Sequence, residues 1–571
     1  MSLVALCTSS RIRICPRLLQ RVAAAASSTH SAANYLPGGR FAPLTGSKAA
    51  AVSLSTSAIA KMPSMPKGIL KQGQKEDLKL KNPALLVNAA YIDGEWHKRA
   101  PSDSSTFDVF NKATGELIGA VPNCGADETA RAIRGASAAF GAFEKPGSWA
   151  ATTGKQRADL LTALLRELTA NAEDLARIIV AENGKSLSEA RGEVVYSNSF
   201  VEWFAGEALR TYGHTAPAPM PGVVNVVLKQ PIGVAGLITP WNFPAAMITR
   251  KLAPALAAGC TVVIKAPAET PFSALALAYL CERVGIPKGV VNVLTCTKGE
   301  KEAAVGKALC ESPYVRKISF TGSTGVGKLL MGQSASTLKK LSFELGGNAP
   351  FIVFEDADLD KAVDGAIMCK FRASGQTCVC ANRIYVHESI YAEFASRLAA
   401  KVDRFKLGHG LEEGVTHGPL VSERGVAKAQ EHVERSVAHG AKVLVGGKKG
   451  EGLFFEPTVL ADVTRDCPMS DEETFGPVAG LYRFSTEEEV IALANDADVG
   501  LAGYFFSQDV SRCWRVAQAL QVGMVGVQTG LIGQNSVPFG GVKESGFGKE
   551  GGRGGIDEYL QEKLIVFGGL Q

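Results

Sequence analysis

Five short runs rich in Val and Ile, at 234–239, 261–265, 290–294, 317–321 and 349–354, alternate with stretches of helical apolar spacing at 247–258, 273–284, 301–310 and 326–336. Strands that are apolar along their whole length are buried on both faces, and parallel neighbours need a crossover between them. The alternation therefore predicts an α/β fold built on a mostly parallel, doubly wound Rossmann-type sheet. A second alternation begins at 359, with a helix at 359–374, a strand at 383–387, helices at 389–404 and 422–438, and a strand at 441–446. A second α/β domain is the economical reading. Upstream, YIDGEW at 91–96 reads as a hairpin turning at Asp93–Gly94, 156–182 holds one or two helices, and 223–228 alternates as a strand. The C-terminal part is Gly-rich from 538 and ends in an apolar, strand-like run at 564–567.

A net charge of +5 on 571 residues would by itself leave nucleic acid as a partner. Its distribution argues against that. Ten bases precede Glu76, the first acid, so residues 76–571 carry −5. The acid-poor leader 1–75 is rich in Ala and Ser and interleaves Arg11, Arg13, Arg17 and Arg21 with aliphatic residues. It reads as a transit peptide and disordered leader, addressed to the mitochondrial matrix with the chloroplast as the alternative; a basic tail without an address is the bland reading. No stretch approaches the roughly 18 apolar residues of a membrane span, so no membrane partner is expected. The 12 Cys do not form a disulfide framework, and most sit singly in apolar runs. Neither they nor the eight scattered His show metal-ligand spacing, so no metal is expected.

Four segments carry residue types suited to chemistry. FTGSTGVGK at 320–328 follows a strand and opens a helix. It resembles a P-loop, but Leu329 stands where magnesium binding needs Ser or Thr. A Gly-rich turn around Gly322 and Ser323 remains, suited either to a pyrophosphate or simply to a tight bend. FELGGNAP at 343–350 sets Glu344 inside an apolar run, where a carboxylate is either a base held protonated by burial or a group satisfied by backbone. SGQTC at 374–378 holds Cys378 in the loop after a helix, as a nucleophile or a structural thiol. PWNFP at 240–244 directs Asn242 beyond the carboxyl end of a strand, to serve an oxyanion or only the turn.

Together and in this order, PWNFP, FTGSTxxGK, FELGGNxP and GQTC resemble the NAD(P)-dependent aldehyde dehydrogenase superfamily, as do ETFGPV at 473–478 and PFGGVKESG at 538–546. The resemblance runs from about residue 91 to the C-terminus. Within the superfamily it is closest to the succinate-semialdehyde subfamily, on 229–251, TPFSALALA at 270–278, GQTCVCANR at 375–383 and GIDEYL at 555–560.

That resemblance implies an NAD(P)-binding domain at 76–343 interrupted by arm strands near 214–230, a catalytic domain at 344–535 and a C-terminal oligomerisation arm at 536–571. It implies a homo-oligomer, tetramer or dimer. Cys378 would be the nucleophile, Asn242 an oxyanion donor and Glu344 the base that hydrolyses the thioester. Trp241, Lys265, Gly322, Ser323, Glu473 and Phe475 would bind the dinucleotide. Ala268 stands where many relatives carry the Glu that binds the ribose 2′-hydroxyl, which implies that NADP is accepted or preferred. Arg250 and Arg372 match the arginines that clamp the substrate carboxylate in this subfamily. A serine that helps that clamp is not retained: Gly533 stands at its position and Ser536 is displaced. The expected reaction is oxidation of succinic semialdehyde to succinate, as in 4-aminobutyrate degradation, with glutaric semialdehyde or a broad aldehyde range as the alternative. Cys380 would form a reversible disulfide with Cys378, a redox switch.

Overall fold

The computed structural model describes residues 78–570 apart from 101 and 144. The leader at 1–75, and with it the transit-peptide reading, lies outside the described residues.

The first sheet runs from edge to edge as Glu95–His97, Ala90–Ile92, Val291–Leu294, Thr261–Lys265, Val234–Ile238, Val315–Thr321, Lys340–Glu344 and Gly546–Phe547. Its five central strands are parallel. Numbered along the chain from Val234, they lie in the order 3-2-1-4-5, the doubly wound arrangement. The order reverses between Val234–Ile238 and Val315–Thr321. Ligands in open α/β sheets bind beyond the carboxyl ends of the strands at such a reversal. The chain leaves those ends through Trp241 and Asn242 on one side and Gly322 and Ser323 on the other. The hairpin forms as the Asp-Gly pair predicts, with φ of 54° at Asp93 and 75° at Gly94, the double left-handed turn that suits twisted strands.

The helix Ala246–Ala258 is buried at every position, so the charges of Arg250 and Lys251 on it cannot be satisfied by water. The stretch at 156–182 is two helices, Gly154–Ala170 and Ala172–Asn183, broken at Asn171. A second sheet orders Lys442–Val445, Thr458–Ala461, Val478–Phe484, Ala381–His387, Ala349–Val353, Ala502–Phe506 and Met524–Val527.

Three expectations need correction. The run at 349–354 does not continue the first alternation: Ala349–Val353 belongs to the second sheet, between Ala381–His387 and Ala502–Phe506. The place beside Val315–Thr321 is filled by Lys340–Glu344. The helix expected at 359–374 stops at Lys370; a short 3-10 turn, Arg372–Gly375, follows, with Ala373 and Ser374 left-handed at φ 51° and 53°. The 536–571 segment is not one arm. Gly546–Phe547 closes the first sheet beside Glu344, with Phe547 against Phe343 at 5.3 Å between ring centroids, and Glu550 is buried against the all-buried helix. Only Leu560–Phe567 forms the arm sheet, antiparallel to Val224–Pro231, which pairs in turn with His214–Ala216. Among the described residues no helix is long and apolar enough to cross a membrane.

Candidate active site

Asn242 is buried in the turn after Val234–Ile238. Asn183 braces that turn, its Nδ2 donating to the Trp241 carbonyl at 2.9 Å. Asn242 Nδ2 donates to the Gln376 carbonyl at 3.1 Å, which ties the first sheet to the loop carrying Cys378. Gln376 is fixed from the other side by the Val421 N–H, 3.0 Å from its Oε1. Asn242 and Cys378 are therefore joined through one short segment, as an oxyanion site requires.

Burial pushes the Cys378 thiol up to about 12, opposed by the Arg250 charge and reinforced by Glu473, Glu344 and Cys380. At neutral pH the resting group is the thiol, and attack requires loss of its proton. Cys380 is buried with its thiol free, its N–H donating to the Thr377 carbonyl at 2.9 Å; Cys378 is free as well.

Glu344 ends its strand, opposite Thr321 and 2% exposed. Neither carboxylate oxygen has a hydrogen-bond partner among the described residues. Burial, and then the charge of Glu550, push it well above the ordinary carboxylate value, against the pull of Arg250, Lys251 and Lys549. A Cβ on Gly540 would stand 2.8 Å from Glu344 Oε1 and equally close to the Gly548 carbonyl, so glycine at 540 leaves both the carboxylate and the neighbouring chain their place.

The acid that answers the buried cations is Glu550, which ion-pairs with both Arg250 and Lys251. Burial pushes Glu550 up, but Arg250 and Lys251 outweigh it and hold it below its ordinary value. Arg250 thus lines the substrate cavity already paired with an acid that it shares with Lys251; it is not the free half of a carboxylate clamp. Sequence reasoning missed Glu550 and Lys251. The available signal was two adjacent cations inside an apolar helix, which demand an acid somewhere in the chain.

A cavity of about 510 Å³ opens onto Cys378. Aromatic and aliphatic side chains, among them Phe243, Phe371, Phe405 and Phe539, make most of its wall. Of its cations, Lys185 pairs with Glu193 and Arg250 with Glu550. Arg372 faces the Phe243 ring at 5.0 Å and has no acid partner among the described residues. The cavity acid Glu189 accepts from the Ala373 N–H at 2.6 Å and so pins the left-handed turn next to Arg372.

On the opposite side of the sheet ends, the donor set fits a dinucleotide. Ser323 begins the helix Thr324–Ser334 and no side chain caps it, so its N-terminal dipole faces the crevice. Beside it, Thr321 Oγ1 is buried without a partner among the described residues. Gly322 leaves no room for a side chain, since a Cβ there would be 2.4 Å from the Phe320 ring. Trp241 and Phe475 meet edge to face at 5.5 Å. Glu473 is pushed up to about 8 by burial. Lys265, at the end of its strand, pairs with Glu302.

Residues 99–565 match the aldehyde dehydrogenase family. The chain is 54% identical to a glutarate-semialdehyde dehydrogenase of Pseudomonas putida over 86% of its own length and 99% of the relative's. It is 53% identical to succinate-semialdehyde dehydrogenase [NADP(+)] 1 of Schizosaccharomyces pombe, over 84% of this chain and 95% of that one. Its fold superposes on the crystal structure of a succinate-semialdehyde dehydrogenase from Burkholderia pseudomallei with a TM-score of 0.83, at 53% identity, covering 86% of this chain and all of the other.

Proposed function

The chain belongs to the aldehyde dehydrogenase family, and from that premise we propose that it oxidises succinic semialdehyde to succinate with NAD(P)+. The observation that carries the choice of substrate is Arg372, a cation without an acid partner among the described residues in the wall of a largely apolar cavity that ends on Cys378, where Lys185 and Arg250 are already paired. A planar guanidinium binds a carboxylate bidentately, and an apolar wall disfavours any other anchor for it.

The Cys378 thiolate adds to the aldehyde carbon, and the resulting alkoxide is held by the Asn242 amide and the Cys378 backbone N–H. Arg250, the principal opposing charge on the thiol, favours the thiolate. Bound NAD(P)+ supplies the acceptor for the hydride that leaves the substrate carbon, and the acyl group stays on Cys378 as a thioester. Glu344 takes a proton from a water that attacks the thioester, and Cys378 leaves as thiolate. Its unpartnered oxygens are free to receive that water.

Glutaric semialdehyde is the second reading, favoured by the 54% identity to a glutarate-semialdehyde dehydrogenase. For the cofactor, Ala268 offers no carboxylate to a 2′-phosphate, and the acids close by, Glu269 and Glu302, are each held by a lysine, Lys298 and Lys265. NADP is accordingly accepted or preferred. The arm sheet leaves Leu564, Val566 and Phe567 exposed, which fits a homotetramer or dimer. The leader directs the chain to the mitochondrial matrix.

An aldehyde panel on the purified protein lacking residues 1–75, read as NADH and NADPH formation, tests the substrate. Succinic semialdehyde is expected to give the highest kcat/KM, with glutaric semialdehyde next. A higher kcat/KM for butanal or betaine aldehyde would sink the reading.

A further inference from the structure

We propose that the Tyr196 hydroxyl is a specificity-determining group that donates a hydrogen bond to the substrate's distal carboxylate and shares it with Arg372. The proposal rests on the reading of the substrate as an anionic aldehyde. Tyr196 projects from the helix Leu187–Glu207 into the wall of the cavity. Its ring packs edge to face on the buried Phe200, with centroids 4.8 Å apart, so the direction of its hydroxyl is set by packing. That hydroxyl makes no hydrogen bond to any described residue, although its surroundings are mostly apolar. A phenol so placed gains most from an acceptor arriving with the substrate.

Gly533 gives the hydroxyl its room. A Cβ at 533 would lie 3.2 Å from the Tyr196 oxygen, closer than a comfortable carbon–oxygen contact. A side chain at 533 and the Tyr196 hydroxyl therefore compete for one place, and this chain fills it from the helix. The other charged groups of the wall are engaged, Arg250 with Glu550, Lys185 with Glu193 and Glu189 with the Ala373 N–H, and the Thr377 hydroxyl, unpartnered among the described residues, adjoins Cys378 at the reacting end. Arg372 supplies charge and Tyr196 supplies direction. A neutral phenol donates to a carboxylate and has little to offer a methyl group, so it favours an anionic tail over an alkyl one.

The test compares kcat and KM for succinic semialdehyde and for butanal in the wild type, Tyr196→Phe, Gly533→Ala, the double variant and Arg372→Ala. Phenylalanine keeps the ring packing on Phe200. Tyr196→Phe is expected to lower the ratio of kcat/KM for the semialdehyde over butanal by about tenfold, the worth of a hydrogen bond to a charged group, with the change carried by KM. Gly533→Ala should lower the same ratio by displacing the hydroxyl, and should add nothing in the Tyr196→Phe background, because both act on one group. An unchanged ratio in Tyr196→Phe, or full additivity in the double variant, overturns the proposal. If Arg372→Ala lowers the ratio while Tyr196→Phe does not, only the role of Tyr196 falls. If Arg372→Ala leaves the ratio unchanged, the anionic-substrate reading falls and takes this proposal with it.

Discussion

Replacing Glu344 by Gln separates the two halves of the chemistry and changes stability with a definite sign. Glu344 is 2% exposed, has no hydrogen-bond partner among the described residues, and sits in the field of Glu550. Its folded-state value is therefore raised, so the folded chain holds a proton that the unfolded chain releases above about 4.5. From there up to the raised value, stability falls as pH rises, by about 1.4 kcal/mol per pH unit from this one group. Glu550 works in the opposite sense, since its lowered value makes its contribution disappear only as pH falls below the ordinary carboxylate range. The amide introduced by Glu344→Gln cannot titrate. The stability difference between variant and wild type should therefore grow in the variant's favour as pH rises above about 4.5, at a slope approaching about 1.4 kcal/mol per unit until Glu344 ionises in the folded chain, as read by urea titration at each pH. In kinetics, acylation needs no base at 344 and hydrolysis does. The variant should give a stoichiometric burst of reduced cofactor followed by turnover about 10² to 10⁴-fold below wild type, with the acyl group trapped on Cys378 and visible by mass spectrometry. Wild-type hydrolysis should rise with pH as Glu344 ionises. Loss of the burst together with turnover would place Glu344 in acylation. A pH-independent stability difference would show that Glu344 is ionised throughout the folded range.

Three further outcomes follow from the geometry. Gly540→Ala places a methyl group 2.8 Å from Glu344 Oε1 and should slow thioester hydrolysis more than acylation, so it too should show a burst; equal slowing of both phases would separate Gly540 from the base. With Ala268 in place of a carboxylate, kcat/KM with NADP should equal or exceed that with NAD, and a strong NAD preference would reject the assignment. Cys378 and Cys380 are both free thiols two residues apart, so peroxide should inactivate the enzyme in a way dithiothreitol reverses, and Cys380→Ser should make the loss harder to reverse; identical recovery in the variant would exclude Cys380 as the resolving thiol.

Much of the fold was legible because it is local. The apolar runs at 234–239, 261–265 and 317–321 and the helix between the first two follow from periodicity alone, and the positions of Asn242, Gly322 and Ser323 at strand ends follow from those. What escaped depends on partners distant in sequence. Glu344 stands out as a carboxylate in an apolar run, but its strand and its antiparallel neighbour Gly546–Phe547 are about two hundred residues apart, and no local pattern links them. Arg250 reads as a free guanidinium until Glu550, three hundred residues later, is seen to pair with it. The left-handed Ala373 and Ser374 were equally hidden. Neither residue type favours that conformation, which is held from outside by Glu189 on the Ala373 N–H and by the Gly418 carbonyl on Ser374 Oγ.

The account stands on Arg372 as the anchor for an anionic aldehyde tail, and Arg372→Ala tests this most directly. The measurement is the ratio of kcat/KM for succinic semialdehyde to that for butanal, in the variant and in the wild type. A charge-assisted pair with a carboxylate in an apolar cavity is worth about 1.5–3 kcal/mol, so the ratio should fall by about 10 to 100-fold, with kcat for butanal little changed. A proportional fall for both aldehydes, leaving the ratio as in the wild type, would contradict the account.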